Sequence, residues 1–313
     1  MSGQRFDKFL GRYMNGAPKT FIHKMLRKKN ITINGKKSTG AEILQEGDVV
    51  KLFLAEETIR EFIKDKVINR TLVDMPTIVY EDKNILVVDK PKNMLAHPDT
   101  KTKDSLIDRI LLYLHNKGEY DLNAPFTPAL ANRIDKNTTG LVLCGKNLKA
   151  LQALNEMIKN KTLKKYYQTL VVGEVEQSEQ LVGYHQKDEE NNQVEIFATA
   201  QGEKDVRQVV TTYTPIEKYK DYTLLEIELV TGKSHQIRAH LQSISHPIVG
   251  DPKYGDATTN IAMRSAFNLR NQLLHSHKLA FTEKNGTLGY LCDKEITVDS
   301  PLIKQVTDTL ERR

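Results

Sequence analysis

The chain of 313 residues has no tryptophan, only two cysteines, and no apolar run long enough to span a membrane. Cys144 and Cys292 lack the spacing of a metal site, so we expect small buried side chains and neither a disulfide nor a nucleophile. The first residues lack the apolar core of a signal peptide. These absences exclude a membrane partner and predict a cytoplasmic protein.

The positive charge is concentrated at one end of the chain. Residues 1–55 hold 11 Lys or Arg against 4 Asp or Glu, whereas the rest of the chain holds 35 against 36. Between Lys19 and Lys37 there are seven cations and no acid. A basic helix face formed by chance would usually carry interspersed acids. The asymmetry is typical of a polyanion-binding module attached to a nearly neutral body.

The pattern of this basic segment predicts two helices and a short sheet. Apolar residues at helical spacing predict a helix over residues 5–13 and a second one that opens at Lys19 and closes at the cations 27–29. Residues 31–33 alternate as a strand into Asn34-Gly35, a tight-turn signal. A last strand is predicted over residues 49–54.

This helix–helix–strand order, with LRKKNITINGKK and EGDVVKLFL, resembles the small RNA-binding domain first seen in a small-subunit ribosomal protein, the S-four-like domain. The resemblance implies that basic residues of the second helix and the following turn contact structured RNA. Such contacts go mainly to phosphates and supply affinity with little sequence readout. We call these residues the N-terminal basic cluster: Lys24, Arg27, Lys28, Lys29, Lys36 and Lys37.

The rest of the chain predicts a mixed α+β domain. We expect the RNA-binding domain over residues 1–55, a linker or linking helix over 56–75, and the second domain over 76–313. Alternating or compact apolar residues predict strands, a helical spacing predicts one helix, and an acidic polar run predicts the tip of an exposed hairpin. In chain order the segments are strand 85–88, helix 147–160, strand 168–172, hairpin tip 188–192 and strand 223–230.

One segment of this domain concentrates charge around a single carboxylate. Residues 132–143 (NRIDKNTTGLVL) place Asp135 between Arg133 and Lys136, just ahead of a small-residue turn and an apolar run. Neighbouring cations favour the ionised form of a carboxylate and can hold it in one orientation. A surface turn with an incidental charge pair has the same local pattern. These residues alone leave both interpretations open.

Further segments carry polar side chains in Pro- and Gly-punctuated surroundings. Two histidines lie in a short strand-like segment, a tyrosine pair opens a strand, and an Arg follows a turn into a helix. Each segment is weak by itself as a functional signal. In chain order they are residues 89–98 (DKPKNMLAHP), 165–173 (KYYQTLVVG), 231–241 (TGKSHQIRAHL), 246–255 (HPIVGDPKYG) and 273–281 (LLHSHKLAF).

Together and in this order, the segments resemble the Rlu-type pseudouridine synthases, most closely the enzymes of large-subunit ribosomal RNA. The resemblance covers roughly residues 85–281. It implies an isomerase with a mainly antiparallel catalytic sheet and flanking helices, beside the small N-terminal α/β RNA-binding domain. It also implies a monomer that needs no cofactor and no metal. Its partner would be structured RNA, with 23S ribosomal RNA or a pre-ribosomal particle expected.

The resemblance also implies a role for individual residues. Asp135 would act on the ribose of a flipped-out uridine, and Arg133 would enter the stack that the base leaves. Tyr167, which keeps the family's distance to the glycine of its motif, would be the catalytic tyrosine. Arg238 would pair with Asp135 through a bidentate contact. The remaining substrate-binding positions are the pocket wall Leu274 and the site-shaping His235 and Gln236.

Several positions depart from the family pattern without touching these roles. Asn93 stands where glycine is usual after Lys90-Pro91, so we expect a slightly different backbone path there. The other departures are Asn132, Ile134, Thr139, Thr169, Lys233, Ser245 and Ser276.

Three alternatives compete with an rRNA-modifying isomerase. One is a non-catalytic RNA-binding factor of ribosome assembly, and another is a synthase directed at tRNA. A His-dependent hydrolase lacks a Ser or Cys nucleophile motif. A pure binder would not need Asp135, Tyr167 and Arg238 together. The sequence leaves open which uridines are modified and whether Asp135 attacks C1′ or takes a proton from C2′.

Overall fold

The computed structural model describes residues 3–63, 74–100, 102, 104–122, 124, 126–188, 193–200 and 206–310. The chain divides into two compact units. The N-terminal unit comprises Met1–Val73 with Leu111–Pro128, and the larger unit comprises Asp74–Ile110 with Ala129–Arg313. None of the helices in the described ranges has both the length and the apolar character needed to cross a membrane.

The described residues contain eight α-helices and fourteen strands, and five of the strands follow one another directly between the fifth and the sixth helix. The helices are α1 (Phe6–Tyr13), α2 (Lys19–Arg27), α3 (Glu56–Phe62), α4 (Leu106–Asn116), α5 (Leu148–Lys159), α6 (Gln236–Ser243), α7 (Ala257–Phe267) and α8 (Pro301–Thr307). The strands are β1 (Ile31–Ile33), β2 (Lys36–Lys37), β3 (Val50–Leu52), β4 (Thr77–Glu81), β5 (Ile85–Lys90), β6 (Ala129–Leu130), β7 (Thr139–Gly145), β8 (Leu163–Val172), β9 (Glu179–Asp188), β10 (Gln193–Phe197), β11 (Arg207–Lys218), β12 (Tyr222–Leu229), β13 (Leu274–Phe281) and β14 (Glu295–Thr297).

The N-terminal unit joins α1 and α2 to a three-stranded sheet. The sheet order is β2-β1-β3, and both pairings are antiparallel. Phe6, Leu26 and Ile31 are fully buried in one core shared by the helices and the sheet. Asn34 and Gly35 have φ values of 51° and 71°, as a primed hairpin turn requires. The two predicted helices, the first strand and the tight turn are confirmed.

Helix α3 packs within the N-terminal unit. The Phe62 ring lies 4.6 Å from the Phe21 ring, and the Phe62 carbonyl accepts a hydrogen bond from Gly16 N. The predicted linker over residues 56–75 therefore begins with a packed helix, and residues 64–73 lie outside the described part of the chain. The predicted domain boundaries at 55 and 76 stay predictions.

The larger unit is built on one sheet with the order β10-β9-β11-β12-β8-β13-β7-β5-β4. β14 pairs with β13, and β6 pairs with β7. The β13–β7 pair is parallel, and the other named pairs of this sheet are antiparallel. Helix α5 packs on one sheet face, where Val87, Leu143, Leu154 and Leu279 are buried. The predicted α+β class with a mainly antiparallel sheet is confirmed.

The elements predicted in this unit are present, with different lengths in places. β5, α5 and β12 match their predicted ranges within two residues, whereas β8 begins at Leu163, five residues before the predicted start. β9 and β10 form the expected hairpin, with Asp188 opposite Gln193. Residues 189–192 of its predicted tip lie outside the described residues.

Candidate active site

The loop that carries Asp135 runs from β6 to β7 and is held by the buried side chain of Lys90. The Lys90 ammonium is fully buried and donates to three carbonyl oxygens, those of Pro91, Met94 and Lys136, at 2.9–3.0 Å. Burial lowers the pKa of Lys90 to about 8, while the Asp135 and Asp89 charges oppose that shift. The bonds tie the Lys-Pro loop after β5 to the residue that follows Asp135.

A buried arginine holds Asp135 from the other side. Arg238 Nη1 donates to Asp135 Oδ2 at 3.2 Å. The other two contacts of the guanidinium go to Asp251, with Nε to Oδ2 at 2.6 Å and Nη2 to Oδ1 at 2.8 Å. The prediction of a bidentate contact between Arg238 and Asp135 is wrong, because the bidentate contact of Arg238, through Nε and Nη2, goes to Asp251. Among the described residues, the Asp135 carboxylate receives one hydrogen bond, from Arg238 to Oδ2, and Oδ1 takes no part in this pair.

Asp251 is the residue that the sequence prediction missed. Its side chain is fully buried, and Oδ1 also accepts from the backbone N–H groups of Lys253 and Tyr254. The sequence places Asp251 within the Pro- and Gly-punctuated segment 246–255, for which the resemblance implies no role of that carboxylate. The sequence offered only a weak signal, a carboxylate inside a Pro- and Gly-punctuated loop of a chain in which Arg238 has more donors than one carboxylate uses. The ring of Tyr254 lies under the guanidinium, with Arg238 Cζ 5.0 Å from its centroid.

The turn into α6 determines the position of His235 and Gln236. His235 precedes the helix with φ of 53°, and its Nε2 lies 3.9 Å from Asp135 Oδ2. Burial lowers the pKa of His235, with the Asp135 charge opposing the shift. Gln236 is buried and makes hydrogen bonds to Thr231, Lys233, Val210 and Thr211. His235 borders Asp135, whereas Gln236 braces the turn.

Tyr167 and Leu274 face Asp135 from the neighbouring strands β8 and β13. Tyr167 is buried and lies opposite Ser276 in the register of β8 and β13. Burial raises the pKa of the Tyr167 phenol, and the Asp135 charge adds to that shift. Gly140 allows β7 to approach β13 closely at this point, because a Cβ there would lie 2.2 Å from the Ser276 oxygen. Its φ of 106° also favours glycine.

The predicted catalytic and substrate-binding residues line one pocket. It has a volume of about 360 Å³ including its open mouth. Arg133 stands at the pocket with an exposed side chain that has no hydrogen-bond partner among the described residues. The lining residues used below are Arg133, Asp135, Tyr167, His235, Gln236, Arg238 and Leu274.

Two departures from the family pattern have local explanations. Asn132 Oδ1 accepts a hydrogen bond from Leu143 N at 2.8 Å, which holds the start of the Asp135 loop against β7. Asn93 has φ of 63°, in the left-handed region that glycine favours and asparagine tolerates. Both residues therefore fit the backbone on which they stand.

The N-terminal basic cluster is a surface feature. All six of its side chains are exposed. No ion pair of theirs occurs within the described residues, and Asp7, Glu42 and Asp48 of this unit bond other partners. Lys24 and Arg27 belong to α2, and Lys36 and Lys37 form β2. The cluster therefore offers free positive charge to solvent.

Comparison with known proteins identifies the family. The profile of the RNA pseudouridylate synthase family matches residues 84–243. Ribosomal large subunit pseudouridine synthase C of Vibrio vulnificus is 31% identical over 90% of this chain and 86% of its own length. Uncharacterized RNA pseudouridine synthase YlyB of Bacillus subtilis is 29% identical over 89% and 86%. The chain belongs to the RNA pseudouridylate synthase family.

The fold agrees with this assignment. The structure of human RNA Pseudouridylate Synthase Domain Containing 1 superposes with a TM-score of 0.57 at 17% identity, covering 80% of this chain and 92% of that one. The predicted family and enzyme class are confirmed, and the protein is an RNA pseudouridine synthase. The hydrolase and the non-catalytic binder are not favoured.

Proposed function

We propose that this enzyme converts uridines of 23S ribosomal RNA, free or in a pre-ribosomal particle, to pseudouridine. Relatives named ribosomal large subunit pseudouridine synthase C, from three Vibrio species, are 27–31% identical over most of the chain. One observation supports the assigned reaction: Asp135 lines the pocket with a partly exposed side chain and is held there by Arg238. A monomeric state and a cytoplasmic location stay predictions.

The reaction requires one group that works on the ribose. The bond between N1 and C1′ breaks, the base rotates, and C5 bonds to C1′. C5 then loses its proton and N1 gains one, so no atom is added and nothing is oxidised. We assign the ribose step to Asp135, by attack at C1′ or by proton removal from C2′. Its side chain is 30% exposed, which leaves it accessible to substrate.

Arg238 and Tyr167 complete this assignment. Arg238 keeps Asp135 aimed through its single hydrogen bond, since its own position is fixed by Asp251. The raised pKa of Tyr167 means that its phenol is protonated in the free enzyme. Tyr167 therefore acts as a relay late in the reaction: it accepts the proton that C5 loses as its own phenol proton passes toward N1, directly or through solvent.

The target base must leave its stack before Asp135 can reach the sugar. Unstacking costs a few kcal/mol, and a planar guanidinium in the vacated space offsets part of that cost. Arg133 is suited to this role because its side chain is exposed at the pocket. Leu274 supplies an apolar wall for the flipped base, and His235 and Gln236 shape the pocket edge.

The N-terminal basic cluster supplies affinity for the RNA. Its lysines and its arginine are exposed in a segment with a strong excess of cations. Contacts of this kind to phosphates are sequence-independent and weaken as salt concentration rises. The choice of uridine then depends on the fold of the RNA around the pocket.

The test uses unmodified 23S rRNA transcribed in vitro. The wild-type enzyme is expected to form pseudouridine at discrete positions, and Asp135→Asn to lower the single-turnover rate by at least about 10⁴-fold. Filter binding should show unchanged RNA affinity for Asp135→Asn. As a matched control, Asp221→Asn alters an exposed turn carboxylate and should keep full activity.

Two results would contradict the proposal in different ways. Formation of pseudouridine in unmodified tRNA but not in 23S rRNA would support the tRNA-directed alternative. Full activity of Asp135→Asn would remove the assigned role of this residue while leaving the substrate assignment intact. Mapping pseudouridines in cells that lack the gene then identifies the positions.

A further inference from the structure

Lys165 is a buried cation that the assigned mechanism does not use. It lies on β8, two residues before Tyr167, so the two side chains share one face of the strand. Only 7% of the residue is exposed. Within the described part of the chain, neither a carboxylate nor a hydrogen-bond acceptor contacts its ammonium. Lys90 is also buried, but its ammonium donates to three carbonyl oxygens.

A buried ammonium without a partner destabilises the free protein. The loss of hydration costs several kcal/mol when nothing replaces it, and a fixed partner would offset that cost. Burial accordingly lowers the pKa of Lys165, with no opposing charge. An apolar side chain of similar length would stabilise this position better. We therefore look for an anion that binds to the protein and pairs with Lys165.

The surroundings of Lys165 form an electropositive compartment beside the catalytic pocket. Arg133, Lys165 and Lys233 line it together with Asp135 and Tyr167. Arg238 and Leu274 line the adjoining pocket instead. Three cations face one carboxylate here, and that carboxylate also bonds Arg238. The compartment therefore favours an anion next to the place where the uridine binds.

The backbone leaves the ammonium accessible from this compartment. Gly232 lies opposite, and a Cβ built on it would already be 3.6 Å from Lys165 Nζ. Any longer side chain at position 232 would approach the ammonium itself. Arg133 and Lys233 are exposed at the rim, whereas Lys165 is buried deeper. An entering anion would meet the rim cations first and the buried ammonium last.

We propose that Lys165 binds a backbone phosphate of the RNA beside the flipped uridine and thereby fixes the strand at Asp135. The proposal rests on the proposed function, since RNA supplies the anion. A compact ammonium with rotatable donors suits a phosphate oxygen, and burial strengthens the contact. Lys165 is in this view a binding residue, and the side chains that act in the reaction are Asp135 and Tyr167.

The experiment compares Lys165→Met with Lys164→Met on unmodified 23S rRNA transcript. Lys164 is the adjacent strand residue, half-exposed, with its ammonium 3.5 Å from Glu228. Lys165→Met is expected to weaken RNA binding about tenfold and to reduce the slope of log affinity against log salt by about 0.7 to 1. The single-turnover rate at saturating RNA should stay within about threefold. Lys164→Met should match the wild type in all three measurements.

Thermal unfolding separates a binding role from a structural one. Removal of an unpaired buried charge should raise the Tm of the free protein by about 2–4 °C. A lower Tm for Lys165→Met would overturn the proposal in favour of a structural lysine. Unchanged affinity with a large loss of saturated rate would overturn it in favour of a role on the base itself.

Failure of the proposed function remains distinguishable from failure of this inference. Binding, salt slope and Tm need no turnover, so they test Lys165 even if the transcript is not modified. If the wild type binds but modifies neither 23S rRNA nor tRNA, the proposed function fails alone. If the wild type modifies RNA and Lys165→Met binds it normally, the inference fails alone.

Discussion

Two groups of charges in this protein are arranged in opposite ways. The first group consists of Asp135, Arg238 and Asp251, whose charges are paired: Arg238 is 5% exposed and lies between the fully buried Asp251 and the partly exposed Asp135. In the N-terminal basic cluster the cations are exposed and form no ion pair within the described residues. One arrangement fixes positions, and the other leaves charge available.

The difference teaches which property each group contributes. Buried pairs are little screened by salt and gain their strength from geometry, but removal of one partner leaves a costly charge. Exposed cations gain little from any single contact and act by releasing counterions from RNA. We expect the cleft to determine the rate of the chemical step and the cluster to determine affinity and its salt dependence.

The largest effect on this comparison should come from Asp251→Asn. The change removes the charge of the fully buried carboxylate that holds the Arg238 fork. Because the guanidinium can then shift, the Asp135 carboxylate is no longer held in one orientation. We expect the single-turnover rate at saturating RNA to fall by about 10²-fold or more. RNA affinity, measured by filter binding, should stay within about threefold.

Stability provides a second readout of the same variant. Removal of one member of a buried ion pair costs about 3–5 kcal/mol, so Asp251→Asn should unfold at clearly lower denaturant concentration. The control is Asp256→Asn in the same segment, because asparagine also caps the α7 N-terminus where Asp256 accepts from Thr259 N. Normal catalysis by a folded Asp251→Asn protein would contradict the positioning role.

An intermediate effect is expected from neutralising the basic cluster. Replacing Lys24, Arg27, Lys28 and Lys36 by Gln should weaken binding to 23S rRNA transcript by about 10²-fold at 0.1 M salt and reduce the salt slope by about 3. The rate at saturating RNA should not change, because these side chains lie outside the catalytic pocket. Titrations at several salt concentrations measure both quantities.

The matched control for charge alone neutralises exposed lysines of the larger unit. Lys83, Lys161, Lys220 and Lys304 are exposed there, and changing all four to Gln lowers the net charge as much as the cluster variant does. An equal loss of affinity in this control would mean that net charge, and not the N-terminal unit, sets the binding. If the cluster variant turned over more slowly at saturating RNA, the cluster would also affect the chemical step, and the separation of the two roles would be contradicted.

Sequence patterns predicted the residues of the site better than the bonds between them. Asp135, Tyr167, Arg238 and Leu274 were predicted because each lies in a segment that resembles a family motif; their roles stay predictions, and all four line one pocket. No local pattern indicates which of two acids receives the fork of an arginine. The choice of Asp251 follows from the turn that brings residue 251 back to α6, a property of the three-dimensional fold.

A weak local pattern also explains why two of the helices were not predicted. Helix α7 buries only Met263 and therefore has no apolar periodicity to detect. Helix α8 has seven residues, too few to establish a pattern. Helix α4 is different, because its apolar residues recur at helical spacing and were overlooked. The fold class was predictable because β5, α5 and β12 carry strong local patterns.

The smallest effect should come from an exposed ion pair, which marks the lower end of the comparison. Arg60 Nη2 lies 3.2 Å from Glu56 Oε2 on α3, and both side chains are more than 80% exposed. A surface pair one helical turn apart is screened by water and salt, so Glu56→Gln should change the free energy of unfolding by less than about 0.5 kcal/mol. Urea titrations of this variant and of Asp251→Asn measure both ends of the scale. If Glu56→Gln cost as much as Asp251→Asn, burial would not be what separates the two groups of charges.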